Sequence, residues 1–240
     1  MEAAKNNNVQ LLATLTFSPA VLAGLPPLPP GDWNVGHIGY ENASREPVFL
    51  STAKANLPGI KTTWHATRID HLELHSMERL RQNIHIVSHP LFDRPVVAKF
   101  TEFPWQTPYV EAETAAYRWI EGSDIAPRFL GHLTEEGRVI GFVLEHIGNA
   151  RAAGPGDLAA CQGVLEKLHS LGVKHGDINK HNFLVRHGGR VVLLGFETAS
   201  KDVSRDELEA EYQRLTKSLQ DPSLRGAVHP AAALSDPMRL

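Results

Sequence analysis

Cysteine occurs once in 240 residues, at Cys161. A disulfide framework is excluded, and a reducing compartment, the cytoplasm, is the expected setting. Charge of one sign is also scarce in excess: 24 Lys and Arg against 27 Asp and Glu leave a formal charge of -3, with a pI near 6.5. That balance has no basic footprint, so neither nucleic acid nor an anionic membrane is an expected partner. Long apolar runs are missing near the start of the sequence. Met1 to Gln10 is polar with three consecutive Asn, and the weakly apolar run after it is broken by Pro19 and Pro26, so neither a signal peptide nor a membrane span is expected. The 13 histidines are scattered, with no HExxH and no Cys/His cluster, which argues against a His-built metal site. Glycine is absent from Ile60 to Ala98. No internal repeat or low-complexity tract stands out.

What is present is enough apolar residue, 42%, for one sizeable core or two small lobes. Residues 1–31 read as an N-terminal extension ending in the connector Gly24-Leu-Pro-Pro-Leu-Pro-Pro-Gly31, where consecutive prolines fix φ and remove amide donors. Residues 32–147 read as a first lobe. From Trp64 to Phe103 the pattern favours strands, with Ile84 to Val87 and Val96 to Phe100 on either side of a turn at Phe92-Asp93-Arg94-Pro95. A helix follows over 111–120, its apolar positions 112, 116, 119 and 120 at helical spacing and its acids expected in the first turn, where the helix dipole favours them. Gly122 ends it. Val139 to His146 reads as a buried strand.

Residues 148–240 read as a second, smaller lobe. Asp157 is the expected N-cap of a helix with Leu158, Cys161, Leu165 and Leu168 on one face and Gly172 as its stop. A last helix is expected over roughly 204–219, and beyond Asp221-Pro222 the tail carries turn formers and is expected to fray.

The chemistry gathers around His175-Gly176-Asp177-Ile178-Asn179-Lys180-His181-Asn182. Asp177 precedes Asn182 by five residues, and Asn182 opens a β-run, 183–187, that faces a second, 190–194, across Gly188-Gly189. A Gly-Gly pair suits a two-residue hairpin turn. Pairing His187 with Arg190 then sets Asn182 opposite Gly195, so both ends of the hairpin meet at one spot. Asn182 has an oxygen for a metal ion there, and Gly195 has none. A carboxylate at Asp177 can accept a hydroxyl proton. Lys99 lies inside an otherwise apolar strand, where an ammonium requires a partner, and Glu113 on the following helix is the natural one. His169 and His175 are expected to pack and hydrogen-bond so as to hold the loop.

With Lys99, Glu113-Thr-Ala-Ala-Tyr117, Leu168-His-Ser-Leu-Gly-Val-Lys-His-Gly-Asp177 and Asn182 in hand, residues 95–200 resemble the protein-kinase-like superfamily, especially its aminoglycoside/choline phosphotransferase branch. They are also similar to small fungal kinase-like proteins. The resemblance implies an α+β, two-lobed protein-kinase-like fold with an antiparallel β N-lobe and a small, mainly helical C-lobe. It implies ATP and Mg²⁺ as cofactors. By resemblance, Asp177 is the catalytic base, Lys99 and Glu113 are the phosphate-positioning pair, Asn182 is the metal ligand, and the nucleotide meets Val97, Lys99, Asn182 and a hinge, 144–147, that contains Glu145 and Ile147. Gly176, where most protein kinases have Arg, favours the small-molecule branch.

Two departures stand against full conformity. The glycine-free stretch 60–98 leaves no glycine-rich loop to cover phosphates. Gly195 replaces the metal-binding aspartate, and Glu197 could substitute only through a rearranged turn. The expected function is therefore phosphoryl transfer to a small molecule with a degenerate metal site. The alternatives are an inactive kinase-fold binding protein, favoured by the two departures, and a kinase-fold enzyme turned to acid/base chemistry without phosphate.

Overall fold

The computed structural model describes residues 24–223 and residue 226. The expectations for the N-terminal extension before residue 24, and for most of the tail, lie outside the described residues. The chain divides into two compact units, 1–57 and 58–240. In the first, β1 (Val35–Tyr40) and β2 (Pro47–Ala53) form a two-stranded antiparallel hairpin.

The second unit has the two-lobed, protein-kinase-like α+β fold. Its first lobe is a six-stranded sheet built from β3 (Arg68–Asp70), β4 (His75–Arg81), β5 (Ile84–Ser88), β6 (Val96–Phe100), β7 (Phe129–Glu135) and β8 (Arg138–Glu145), in the order β3-β7-β8-β6-β5-β4. The lobe is antiparallel except for the edge pair β3 and β7, which is parallel and departs from the expected pattern. Side chains alternate between faces along a strand. In β6, Val96 and Ala98 enter one apolar cluster with Ile69, Leu133 and Val143, while Val97 and Lys99 point to the opposite face. That alternation puts a charged residue inside a central strand without breaking the core.

Helix α1 (Thr107–Trp119) packs under the sheet. It begins a turn earlier than expected, because Pro108 sits where a missing amide and a fixed φ suit the first helical turn. Glu111 and Glu113 consequently leave the first turn. Glu111 instead accepts from the backbone amides of Lys61 (2.5 Å) and Thr62 (3.0 Å).

The second lobe contains α2 (Leu158–Ser170) and α3 (Arg205–Gln220) with the short strands β9 (Arg151–Ala152), β10 (Val173–Lys174), β11 (Phe183–Val185), β12 (Val191–Leu193) and β13 (Ser200–Lys201). Cys161, Leu165 and Leu168 of α2 are fully buried in one cluster with Phe142, Phe183, Phe196 and Leu215, as their helical spacing requires. Burial pushes the Cys161 thiol up to about 12, far from a reactive thiolate. Gly172 follows α2 in the left-handed region (φ 71°), the stop expected of it.

Asp157 stands at the N-cap of α2, but its carboxylate makes no capping bond to the helix. It accepts from Gly154 N (2.9 Å) and from both terminal nitrogens of Arg151 (2.7 and 2.8 Å), and the Arg151 guanidinium holds its carboxyl down at about 2. Helix α3 is closed at its start by a reciprocal Ser204 and Glu207 capping box. Among the described residues no helix is long and apolar enough to cross a membrane.

Candidate functional site

The hairpin register differs from the expected one by a single residue. Phe183 pairs with Leu193 and Val185 with Val191, and Arg186 N donates to Arg190 O (2.8 Å) across a three-residue turn, 187–189, with positive φ at both glycines. Three-residue turns are the next commonest hairpin connection after two-residue ones. Asn182 therefore faces Leu194, whose amide donates to Asn182 O (2.8 Å), and the register argument for a shared metal mouth fails. Proximity arises by another route. Gly195 turns into the left-handed region (φ 72°, ψ 55°), and a Cβ there would lie 2.7 Å from Asn182 Oδ1. The Asn182 side chain thus fills the space in which a carboxylate at position 195 would begin.

Asp177 sits on a loop held from two sides. Asn182 Nδ2 donates to Asp177 O (2.8 Å) and Oδ2 (3.3 Å), and Asn179 Nδ2 donates to the same Oδ2 (2.9 Å). Gly176, just before it, has φ 86°, and a Cβ there would meet Thr198 O at 2.4 Å, so only glycine fits between the loop and the turn that follows β12. Behind the loop, His175 is fully buried beside Leu194 O (2.9 Å), with burial pulling its imidazole below the ordinary range.

Glu211 anchors the same loop from α3. It is fully buried and accepts from His175 N (2.9 Å), Gly176 N (2.7 Å) and His169 Nε2 (2.9 Å). Burial alone would raise its carboxyl, but these three donors hold it below the usual range. The sequence reading missed this residue. Asp206, Glu207, Glu209 and Glu211 crowd the first two turns of α3, and nothing local marks which acid turns inward.

Lys99 is buried and donates to both Glu113 and Glu197. Burial would lower its pKa, but the two carboxylates reverse that and raise it, so the ammonium is charged at neutral pH. The Glu113 pairing is the expected one. The Glu197 contact has no forerunner in the sequence: this carboxylate, considered as a stand-in metal ligand, reaches the lysine instead.

The Asp177 loop, Lys99 and its two partners meet at one cavity of about 420 Å³. Val97, Lys99, Glu113, Leu144, Glu145, His146, Ile147, Asp177, Asn182, Gly195 and Glu197 all line it, so every residue singled out from the sequence as a catalytic or cofactor-binding candidate is brought together. The Glu145 carboxylate itself points to Arg128 and Arg186. In the glycine-free stretch, β4 and β5 join through the tight turn Gln82-Asn83, and Leu80, Arg81 and Ile84 form that wall of the cavity. Two lining side chains hold buried polar atoms with no hydrogen-bond partner among the described residues, Tyr117 Oη and His181 Nε2. Such atoms are costly without a ligand or water to satisfy them.

The comparisons point to the same region. The sequence profile of the Lipopolysaccharide kinase (Kdo/WaaP) family matches residues 156–230, a stretch that holds Asp177, Asn182, Gly195, Glu197 and Glu211 but not Lys99 or Glu113. A curated relative, the 3-deoxy-D-manno-octulosonic acid kinase of Vibrio parahaemolyticus, is 29% identical over 65 residues, which is 27% of this chain and 27% of the relative. The match thus spans about a quarter of that protein's length. The similarity is kinase-like at the level of the superfamily.

Proposed function

We propose that the protein is a kinase-like phosphotransferase that acts on a hydroxyl group of a small molecule with ATP as donor. The observation that carries this reading is the convergence of Asp177, Asn182, the Lys99–Glu113 pair and residues 144–147 on one cavity. Cavity size, apolar walls at Val97, Leu144 and Leu184, a charged lysine at the back and the unpartnered Tyr117 hydroxyl all fit a nucleotide. When bound, ATP supplies the transferable γ-phosphoryl group. Asp177 accepts the proton of the attacking hydroxyl as the new O–P bond forms, and its carboxylate is kept in place by Asn179 and Asn182. Lys99 offers a fixed positive charge to phosphate oxygens, and Arg81 at the hairpin wall is a second cation at the same cavity.

The donor set does not fit a resident Mg²⁺ of the usual kinase type. Gly195 supplies no carboxylate, and among the described residues no group of three or more His, Cys, Asp or Glu is arranged to hold a metal ion. A hard cation here would find Asn182 Oδ1 but no carboxylate at position 195.

The test is a melting curve with ATP, with ATP plus Mg²⁺ and with neither, since a ligand that binds only the folded state raises the melting point. A rise with ATP, together with ATP turnover that Asp177→Asn removes, supports the reading. A second reading, a kinase-fold binding protein, draws on Gly195 and the tight Gln82-Asn83 turn. It gains if ATP raises the melting point and no turnover is found with any hydroxylated acceptor.

A further inference from the structure

Lys99 has one ammonium and two carboxylate partners, and the two are not equivalent. Glu113 is locked. Its side chain is 3% exposed, it projects from α1, and it accepts from Phe196 N (3.4 Å) as well as from Lys99. Glu197 is 43% exposed in its side chain, and it lies in a short 3-10 turn, Phe196–Thr198, whose backbone is pinned by the fully buried ring of Phe196. A change of rotamer suffices to withdraw Glu197 while the turn stays in place. Glu113 cannot leave without unpacking a helix.

The local charge balance opposes a phosphate at this lysine. One buried ammonium between two carboxylates sums to a net negative charge, at the point where the proposed activity needs a positive one. Bringing phosphate oxygens to Lys99 with Glu197 in place would set like charges together in a desolvated wall. Gly195 removes the side chain through which a cation could be held between them. Withdrawing Glu197 instead leaves a neutral Lys99–Glu113 pair with a free ammonium donor directed at the cavity.

We infer that Glu197 is a specificity-determining competitor: its carboxylate occupies the anion seat on Lys99, and a polyphosphate ligand enters only by displacing it. This rests on the phosphotransferase reading for the identity of the ligand, but the competition itself concerns any polyphosphate anion. The cleft is thereby selective for a ligand with enough negative charge to displace a tethered carboxylate, and a monoanion is excluded.

The experiment measures binding of ATP and of inorganic tripolyphosphate to the full chain by calorimetry, each in EDTA and with Mg²⁺, for wild type, Glu197→Gln and Lys99→Met. Glu197→Gln keeps the side-chain shape and, at a half-exposed position, the fold, which a melting curve checks. Expected is roughly tenfold tighter binding of both ligands to Glu197→Gln in EDTA, the scale of one modest ion-pair competition, with binding lost in Lys99→Met. Equal or weaker binding to Glu197→Gln in EDTA overturns the inference. Weakening seen only with Mg²⁺ also overturns it, and makes Glu197 a cation ligand. If tripolyphosphate tightens while ATP binds to no variant, the competition stands and the nucleotide reading falls. If ATP binds wild type and Glu197→Gln alike, the nucleotide reading stands and the competition falls.

Discussion

Asp177 is held by amides on its flanks: Asn179 and Asn182 both donate to its Oδ2. Asp177→Asn should lower turnover by about 10²–10⁴-fold, the usual worth of a positioned general base, with the melting temperature little changed from wild type. Loss of stability in step with activity would assign Asp177 a structural role instead. Gly195 tests a different point. Its left-handed φ and the 2.7 Å approach of a Cβ to Asn182 Oδ1 mean that Gly195→Asp must move Asn182 as well as strain the backbone. It should cost about 1–3 kcal/mol of stability, read from a denaturant curve with Gly195→Ala as control. Simple restoration of a lost carboxylate therefore does not restore a metal site. For Lys99→Met, removing the ammonium leaves the buried Glu113 carboxylate without its counter-ion, and a destabilisation of roughly 3–5 kcal/mol is expected, largely relieved in the double variant Lys99→Met, Glu113→Gln.

At the scale of elements, α3 is the support of the Asp177 loop, through one side chain. Glu211 satisfies two consecutive backbone amides, at His175 and Gly176, that would otherwise be buried without partners, and an unsatisfied buried donor costs about 1–3 kcal/mol. Glu211→Ala should speed amide hydrogen exchange at 175–177 well beyond exchange in the six-stranded sheet. Equal protection in the variant would show that the loop holds itself. Element boundaries also explain where the sequence reading went astray. The turn 187–189 takes three residues because Arg186 and Arg190 close the ladder, and both glycines still adopt the positive φ foreseen for them. Helix α1 gained a turn because Pro108 is compatible with a helix start and with nothing beyond it.

At the scale of the whole molecule, acid should loosen the fold through histidines that are buried neutral. His132 is fully buried, its Nε2 accepts from Trp64 N (3.1 Å) and His65 N (3.3 Å), and burial together with the nearby Arg68 charge lowers its pKa to about 4. His175 shifts in the same direction, burial being the largest cause. A depressed folded pKa means that the unfolded chain takes up protons first as pH falls. The stability is fully present above the unfolded value near 6.5 and is lost as pH drops toward 4, at up to ~1.4 kcal/mol per unit per group. Melting temperature against pH should fall across that window, with a shallower fall in His132→Gln. A profile flat from about 7 down to about 4 would contradict the burial of both rings.

The sequence by itself determined the helices of the second lobe, strands β5, β6 and β8 of the first, the Lys99–Glu113 pair and the Asp177 to Asn182 loop. Each of these rests on short-range chemistry: apolar period, caps and glycines at positive φ, and an ammonium that an apolar strand cannot leave alone. Tertiary structure alone decided the rest. Which acid of α3 turns inward to hold the loop depends on what α3 packs against, and charged residues along a helix look alike until a partner is present. That Glu197 reaches Lys99 across 98 residues of sequence depends on the sheet, α1 and the turn after β12 closing around one cavity, and such a meeting has no local signature.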